Sequence, residues 1–226
     1  MIRPFDLKRR LVAEALGSAL LATIVIGSGI MAQRLCHPDG LALLANALAT
    51  GAGLLAIILA LGPISGAHFN PAVSLAFLLT GKLRRTHAFV YMAAQTLGML
   101  LGVLATHAMF GLAVLQASTH GRAGFGQLLS EAIGTFTLIA VILLGDRLDP
   151  RRTPYAVAAI VTGGYWFTAS TFFTNPALAL ARSFTDTFAG IRPVDAPPFM
   201  AVELAAAVLA AGFAAWLFRH HPLEEA

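Results

Sequence analysis

The sequence predicts an all-α membrane protein in which six transmembrane helices and two re-entrant half-helices form an inverted 3+3 repeat. Three observations support this prediction: the composition, a series of long apolar runs, and an Asn-Pro-Ala triplet that occurs twice. Of the 226 residues, 58% are hydrophobic and only 12% are charged, whereas charged residues make up about 25% of an average soluble domain. The composition therefore indicates an integral protein of a lipid bilayer.

Six apolar runs have the length, roughly 20 residues, that a helix needs to cross the hydrocarbon core. They are Leu11–Met31, Leu41–Leu61, His87–Met109, Gln127–Gly145, Pro154–Thr171 and Pro198–Phe218. The first run is too long for the apolar part of a signal peptide, and five further runs follow it. We therefore expect it to remain in the mature chain.

The basic residues lie in groups between these runs rather than along one polar face, which argues against a nucleic-acid partner. If the N-terminus lies inside, eleven of the fifteen Lys and Arg are cytoplasmic, namely Arg3, Lys8, Arg9, Arg10, Lys82, Arg84, Arg85, Arg147, Arg151, Arg152 and Arg219. Four lie outside, namely Arg34, Arg122, Arg182 and Arg192. The positive-inside rule thus predicts a multi-pass protein of the plasma (inner) membrane with both termini in the cytoplasm.

Two further apolar segments, Asn70–Thr80 and Asn175–Phe188, are too short to cross. As helices they would span about 16 to 20 Å of a core that is about 30 Å thick. Each begins with Asn, a good helix N-cap, followed by Pro, which suits the first helical position. Gly81 and Gly190 suit the C-terminal ends. The segments 70–80 and 175–188 are therefore predicted to be re-entrant half-helices.

The chain also repeats itself. The stretch "AEALGSALL" (13–21) matches "SEAIGTFTL" (130–138), and each copy precedes one Asn-Pro-Ala triplet. Three spans per repeat is an odd number, so the second repeat (111–226) must be inverted relative to the first (1–110). The half-helices then enter from opposite faces, and their capped N-termini meet near the bilayer centre with their positive dipole ends.

Paired Asn-Pro-Ala half-helices within six spans, together with "SGAHFNPAVS", resemble the aquaporin and aquaglyceroporin (major intrinsic protein) family. The two triplets are Asn70, Pro71, Ala72 and Asn175, Pro176, Ala177. The resemblance implies a homotetramer with one pore per subunit, conducting water and small uncharged solutes such as glycerol while excluding protons and ions. Asn70 and Asn175 would then donate to the oxygen of a permeating molecule.

The family's spacing places the narrowest part of the pore at Thr50, Gly163, Phe172 and Leu178. The family usually has Arg where this chain has Leu178, so the resemblance implies a wider and more apolar constriction than that of a water-specific channel. A small Gly163 beside Phe172 resembles the glycerol-conducting branch, in which an aromatic wall meets the carbon backbone of the solute.

The segment "NPALALARSFTDTFAGIRP" resembles bacterial aquaglyceroporins associated with arsenic resistance, which implies arsenite, in the form of uncharged arsenous acid, as a further solute. Arg182 lies one helical turn after Leu178 and leaves two interpretations open. Its guanidinium can reach back and make the vestibule cationic, or it can pair with Asp186 and hold a loop.

Glu14 and Glu131 occupy equivalent places in the two repeats, inside spans where a carboxylate is costly. We interpret them as acceptors for the irregular backbone that leads into each half-helix, with a proton relay as the alternative. Glu203 occupies the place that matches Gln95, and the sequence does not explain this difference.

No nucleotide loop and no set of nucleophile, base and acid is evident, so we expect neither an enzyme nor a cofactor. The lone cysteine, Cys36, has no neighbouring ligands for a metal. Two alternatives to a passive channel remain. One is a proton-coupled secondary transporter of a small neutral solute that uses Glu14 or Glu131, and the other is a closed, structural membrane protein.

Overall fold

The computed structural model describes residues 5–35 and 39–219, and Arg3 and Cys36 lie outside these ranges. The described residues form eight α-helices and no strand, which confirms the all-α fold. The helices are α1 (Leu7–Leu35), α2 (Asp39–Ser65), α3 (Pro71–Leu79), α4 (Arg85–Phe110), α5 (Phe125–Leu148), α6 (Thr153–Phe167), α7 (Pro176–Arg182) and α8 (Ala196–Leu217). Helices α1–α4 and α5–α8 have the same order, with the short helix third in each set.

In the part of the chain that the structure describes, five helices are long and apolar enough to cross a membrane, namely α1, α2, α4, α5 and α8. The protein is thus a multi-pass membrane protein. The predicted span Pro154–Thr171 is shorter than expected, because α6 has only 15 residues and reaches about 22 Å. It ends at Phe167 because Thr168 adopts an extended conformation. An irregular stretch, residues 168–175, then leads to α7.

The two half-helices begin as the sequence predicts. The side chain of Asn70 accepts a hydrogen bond from Ala72 N (2.8 Å), and that of Asn175 accepts from Ala177 N (3.1 Å). In both cases Pro occupies the first turn, where its missing N–H costs no helical bond.

The end predicted for the second half-helix is wrong. Helix α7 stops at Arg182 rather than at Phe188, and it contains seven residues. After it the chain turns back, since Ile191 N donates to the carbonyl oxygen of Arg182. Gly190 belongs to this returning loop, where an added Cβ would lie 2.3 Å from Ser118 Oγ.

Helices α1 and α4 approach closely because glycines face backbone. A Cβ added at Gly98 would lie 2.2 Å from the carbonyl oxygen of Ala15, and one at Gly102 would lie 2.3 Å from that of Ala19. Small residues that let helix backbones approach are a common device of membrane proteins. The close α1–α4 pair fixes the side chains of α1 that support the first half-helix.

Candidate pore between the two half-helices

The N-termini of α3 and α7 meet through a reciprocal pair of hydrogen bonds. Asn70 Nδ2 donates to the carbonyl oxygen of Thr174 (2.7 Å), and Asn175 Nδ2 donates to that of Phe69 (2.9 Å). Each side-chain amide therefore caps its own helix with its oxygen and holds the opposite loop with one N–H. Each amide nitrogen carries a second N–H, and both residues line a cavity. A second donor on each Asn is thus available at the centre of the protein.

The loops before the two caps adopt costly backbone conformations. Five non-glycine residues have positive φ, namely Ala67, Phe69, Thr171, Phe172 and Thr174. Such conformations cost about 1–3 kcal/mol each and persist only where the surroundings determine them. The loops must therefore be held by their surroundings, and buried carboxylates supply part of that support.

Glu14 supports the first loop. Its fully buried carboxylate accepts from Ser65 Oγ (2.6 Å), His68 N (3.0 Å), Phe69 N (2.8 Å) and Gln95 Nε2 (2.8 Å). Two of these donors are backbone groups that lipid could not satisfy. The arrangement matches the predicted role of Glu14 as an acceptor for irregular backbone.

Glu131 makes the equivalent contacts in the second loop. Its carboxylate accepts from Phe173 N (3.0 Å) and Thr174 N (2.6 Å), and it is also fully buried. The carboxylate of Glu203 accepts a hydrogen bond from the next backbone group, Asn175 N (3.1 Å). Three successive backbone N–H groups before α7 are therefore bound by carboxylates.

The two supports differ in their side-chain contacts. Gln95 donates an N–H to Glu14, whereas Glu203, in the equivalent place, lies beside Glu131 with a second carboxyl group. No N–H or hydroxyl group of the described residues donates to Glu203 Oε2. A hydrogen bond between two neighbouring buried carboxyl groups requires that one of them keep its proton, whereas the amide of Gln95 always carries a donor.

We therefore expect Glu203→Gln to stabilise the protein by about 1 kcal/mol. The new amide can keep the acceptor for Asn175 N and can donate to Glu131, as Gln95 does to Glu14. Thermal unfolding in detergent measures the effect. The matched control is Gln95→Glu, which should lower the midpoint because it places two carboxyl groups in the first support as well. A lower midpoint for Glu203→Gln would contradict the expectation.

A cavity of about 530 Å³ extends past the two caps. At one end it is lined by residues near the end of α2 and the α5–α6 connection, including Pro63, Asp146 and Arg151. At the other end it reaches Thr50 and Leu178. The lining between these two ends is largely apolar, and the amides of Asn70 and Asn175 are among its few polar groups.

Gly163 does not line this cavity, which corrects its predicted place in the constriction. It is exposed, together with Ala159 and Trp166 on the same face of α6, and an added Cβ would meet no atom within 4 Å. The neighbouring Gly164 instead makes room for an aromatic ring, since a Cβ there would lie 2.3 Å from the Phe172 side chain. The space for Phe172 therefore comes from the second glycine of the pair.

Tyr165, two residues after Gly163, lines the cavity instead. It follows Val157 and Val161 at intervals of four residues, and all three line the cavity. Its hydroxyl lies 3.1 Å from Thr50 Oγ1, within hydrogen-bonding distance. The sequence reasoning missed Tyr165, although the spacing of these three residues marks one face of a helix. Thr50, Tyr165, Phe172 and Leu178 all line the cavity, and we call these four residues the neck.

Arg182 does not pair with Asp186, and it is not among the residues that line the cavity. Its side chain is buried within the protein, and the guanidinium carbon lies 3.4 Å from the centroid of the Phe173 ring. Its Nε donates to the carbonyl oxygen of Ala189. Asp186 is held elsewhere, accepting from the backbone N (2.8 Å) and hydroxyl (2.9 Å) of Thr119. These two hydrogen bonds keep the pKa of Asp186 below its ordinary value.

A second arginine, which the sequence reasoning did not single out for this role, clamps the same region. Arg122, from the loop between α4 and α5, has its guanidinium carbon 4.9 Å from the Phe173 ring centroid. It donates to the carbonyl oxygens of Gly190 (2.8 Å) and Ser170 (3.2 Å). Arg122 therefore connects the loop before the second triplet to the loop after α7.

The two half-helices meet at their N-termini beside a cavity, and buried carboxylates hold the loop before each of them. This arrangement is typical of a membrane channel built from re-entrant half-helices. The family model described as "Major intrinsic protein" matches residues 1–218. The chain belongs to the major intrinsic protein family, and it is a channel protein rather than an enzyme.

The chain is 51% identical over 218 residues to aquaglyceroporin AqpS of Rhizobium meliloti, covering 96% of this chain and 94% of that protein. It is 32% identical over 186 residues to probable aquaporin AqpM of Archaeoglobus fulgidus, covering 76% and 74%. The solved structure of the aquaglyceroporin from Plasmodium falciparum matches with a TM-score of 0.72 at 22% identity, covering 92% of this chain and 95% of the other. That structural match shows the fold, and the predicted family is confirmed.

Proposed function

We propose that this protein is a passive channel for water and glycerol-sized uncharged solutes. The observation that carries the proposal is the pair of crossed asparagine caps inside the cavity. A permeating oxygen can accept the second N–H of each amide, so a neutral molecule keeps hydrogen bonds where it leaves bulk water. The two helix N-termini carry partial positive charge and disfavour cations at the same point. The channel therefore passes neutral molecules and excludes protons and ions.

The neck sets the solute range. Leu178 places an aliphatic side chain where the family usually has Arg, and Phe172 adds an aromatic ring. Such walls suit the carbon face of glycerol, while the Thr50 hydroxyl can meet its oxygens. Arsenous acid is uncharged at neutral pH and has a similar size and three hydroxyl groups. We include arsenite among the solutes on this chemical ground.

The proposal extends to the assembly and its orientation. Residues 1–110 and 111–226 form the two inverted repeats, and the helix order that α1–α4 and α5–α8 share supports this division. The protein acts as a homotetramer in the plasma (inner) membrane with both termini in the cytoplasm. The distribution of Lys and Arg along the sequence supports the orientation.

A proton-coupled transporter is disfavoured by the contacts of its candidate carboxylates. Glu14 and Glu131 bind backbone N–H groups and do not belong to the residues that line the cavity. A carrier residue must exchange its proton with the transport path, and these side chains are occupied by supporting the loops. Their contacts favour the structural role.

Permeability of proteoliposomes tests the function. Under a glycerol gradient, vesicles that contain the protein should shrink and reswell faster than empty vesicles. Under an arsenite gradient they should likewise shrink and reswell faster than empty vesicles. The flux should depend weakly on temperature and should leave the signal of an internal pH dye unchanged. Flux that saturates and carries protons would instead indicate the transporter, and vesicles that behave like empty ones would indicate a closed structural protein.

A further inference from the structure

A second cavity, of about 300 Å³, lies where α3, α5 and α8 end, and we call it the terminal groove. It shares no lining residue with the cavity that contains the two asparagine caps. Its wall is mostly apolar and carries two basic side chains. The apolar part includes Leu79, Leu143 and Phe218, and the basic side chains are Lys82 and Arg147.

The groove is positively charged, since none of the described residues that line it is acidic. Lys82 forms an ion pair with Asp146 beside the groove, but the two side chains are 38% and 36% exposed. Such exposed pairs contribute little to stability, and an ammonium group has three N–H donors. Lys82 can therefore bind a further acceptor. The guanidinium carbon of Arg147 lies 4.4 Å from the centroid of the Phe218 ring, a contact that uses the face of the guanidinium while its N–H groups point along its plane.

The groove lies at the level of the membrane interface. Leu79, in its wall, is 51% exposed, and Trp216, next to the lining residue Ala215, is 66% exposed. Exposed Trp side chains of membrane proteins concentrate at the headgroup level, which is the cytoplasmic one in the proposed orientation. The apolar wall therefore meets acyl chains, while the two basic side chains meet phosphate groups.

We propose that the terminal groove binds one anionic phospholipid of the cytoplasmic leaflet, with its phosphate held by Lys82 and Arg147 and the start of an acyl chain along Leu79 and Phe218. Basic pockets between membrane helices on this side suit anionic headgroups. A free phosphate would leave the apolar wall uncovered, and a choline headgroup would bring a cation towards two cations. The charge and the apolar wall together thus favour an anionic lipid.

Native mass spectrometry of the purified protein, titrated with phosphatidylglycerol, measures the dissociation constant of the lipid. Phosphatidylcholine with the same acyl chains is the neutral counterpart and should bind about fivefold more weakly or worse. Lys82→Gln and Arg147→Gln should each raise the dissociation constant of phosphatidylglycerol about fivefold, the size expected for one basic residue beside an anionic headgroup. Neither variant should change the binding of phosphatidylcholine to the same extent.

Arg84→Gln is the matched control, because Arg84 is exposed, follows Lys82 closely in the chain and does not line the groove. It should leave the dissociation constant of phosphatidylglycerol unchanged. Lys82→Arg keeps the charge and should retain the lipid. Asp146→Asn should tighten binding about twofold or more, because it removes the carboxylate that competes with the phosphate for Lys82. A gain of affinity in this variant would not follow from a loss of folding.

Three outcomes would overturn the inference. Equal dissociation constants for the two lipids would show that the groove does not recognise the charge of the headgroup. Equal losses in Arg84→Gln and Lys82→Gln would show a general attraction to the basic end of the protein. Glycerol phosphate, which has the charge without the acyl chains, should bind about tenfold more weakly or worse, and equally tight binding would mean an anion site rather than a lipid site. Binding is measured without solute flux, so the result is independent of the proposed channel function.

Discussion

Replacing Leu178 by Arg should reduce glycerol permeability at least tenfold and water permeability much less. Leu178 lies in the first turn of α7, is 5% exposed and lines the neck. A guanidinium there would occupy more of the neck than the leucine. It would also hold water, since an unpaired charge in an apolar surrounding carries a large desolvation cost. Water can pass such a hydrated site more easily than glycerol can.

The measurement is stopped-flow light scattering on vesicles with equal amounts of folded protein. Leu178→Met is the matched control, because it keeps the volume and the apolar character of the side chain and should retain glycerol flux. Equal fractional losses of water and glycerol in Leu178→Arg would mean that residue 178 does not set the solute range of the channel.

Glu14→Ala should destabilise the protein by about 3 to 5 kcal/mol, or prevent it from folding. The substitution removes the acceptor for the N–H groups of His68 and Phe69 and leaves them buried. It also removes one of the two acceptors of the Gln95 amide, and it releases a loop in which Phe69 has positive φ. Leaving several buried N–H donors without acceptors lowers the free energy of unfolding more than a typical substitution does.

Yield and thermal midpoint in detergent measure this effect. Leu16→Ala is the control on the same helix, because Leu16 is 48% exposed and its truncation leaves the loop untouched. A folded Glu14→Ala protein with an unchanged midpoint would contradict the supporting role. If that protein also lost a proton-linked flux, the transporter alternative would gain support.

The sequence determined the local features of this protein. Asn followed by Pro specifies a helix start by its own side-chain chemistry, and both half-helices begin where that chemistry places them. The long spans follow from apolar length, which sums over many residues and tolerates errors of a few positions at each end. The buried acceptors Glu14 and Glu131 were predictable because a carboxylate within an apolar span needs partners, and irregular backbone was nearby to provide them.

Only the tertiary structure decided which side chains form the neck. Each residue of a helix turns the side-chain direction by about 100°, so the step of two from Gly163 to Tyr165 moves the side chain to the opposite face. Counting along the chain gave three residues that line the cavity, namely Thr50, Phe172 and Leu178. It did not give the rotation of α6, which is fixed by packing against α2 and against the ring of Phe172.

The partners of the two arginines likewise depend on the folded chain. Arg182 binds a carbonyl of the returning loop, and Arg122 comes from a loop that is distant in sequence. A helical i, i+4 rule pointed to Asp186, but α7 ends at Arg182, so the two residues do not share a helix. Nearby sequence specifies helix starts and lengths because those depend on local backbone chemistry. Rotation, loop return and long-range pairing depend on the packing of all eight described helices, so only the folded structure could reveal them.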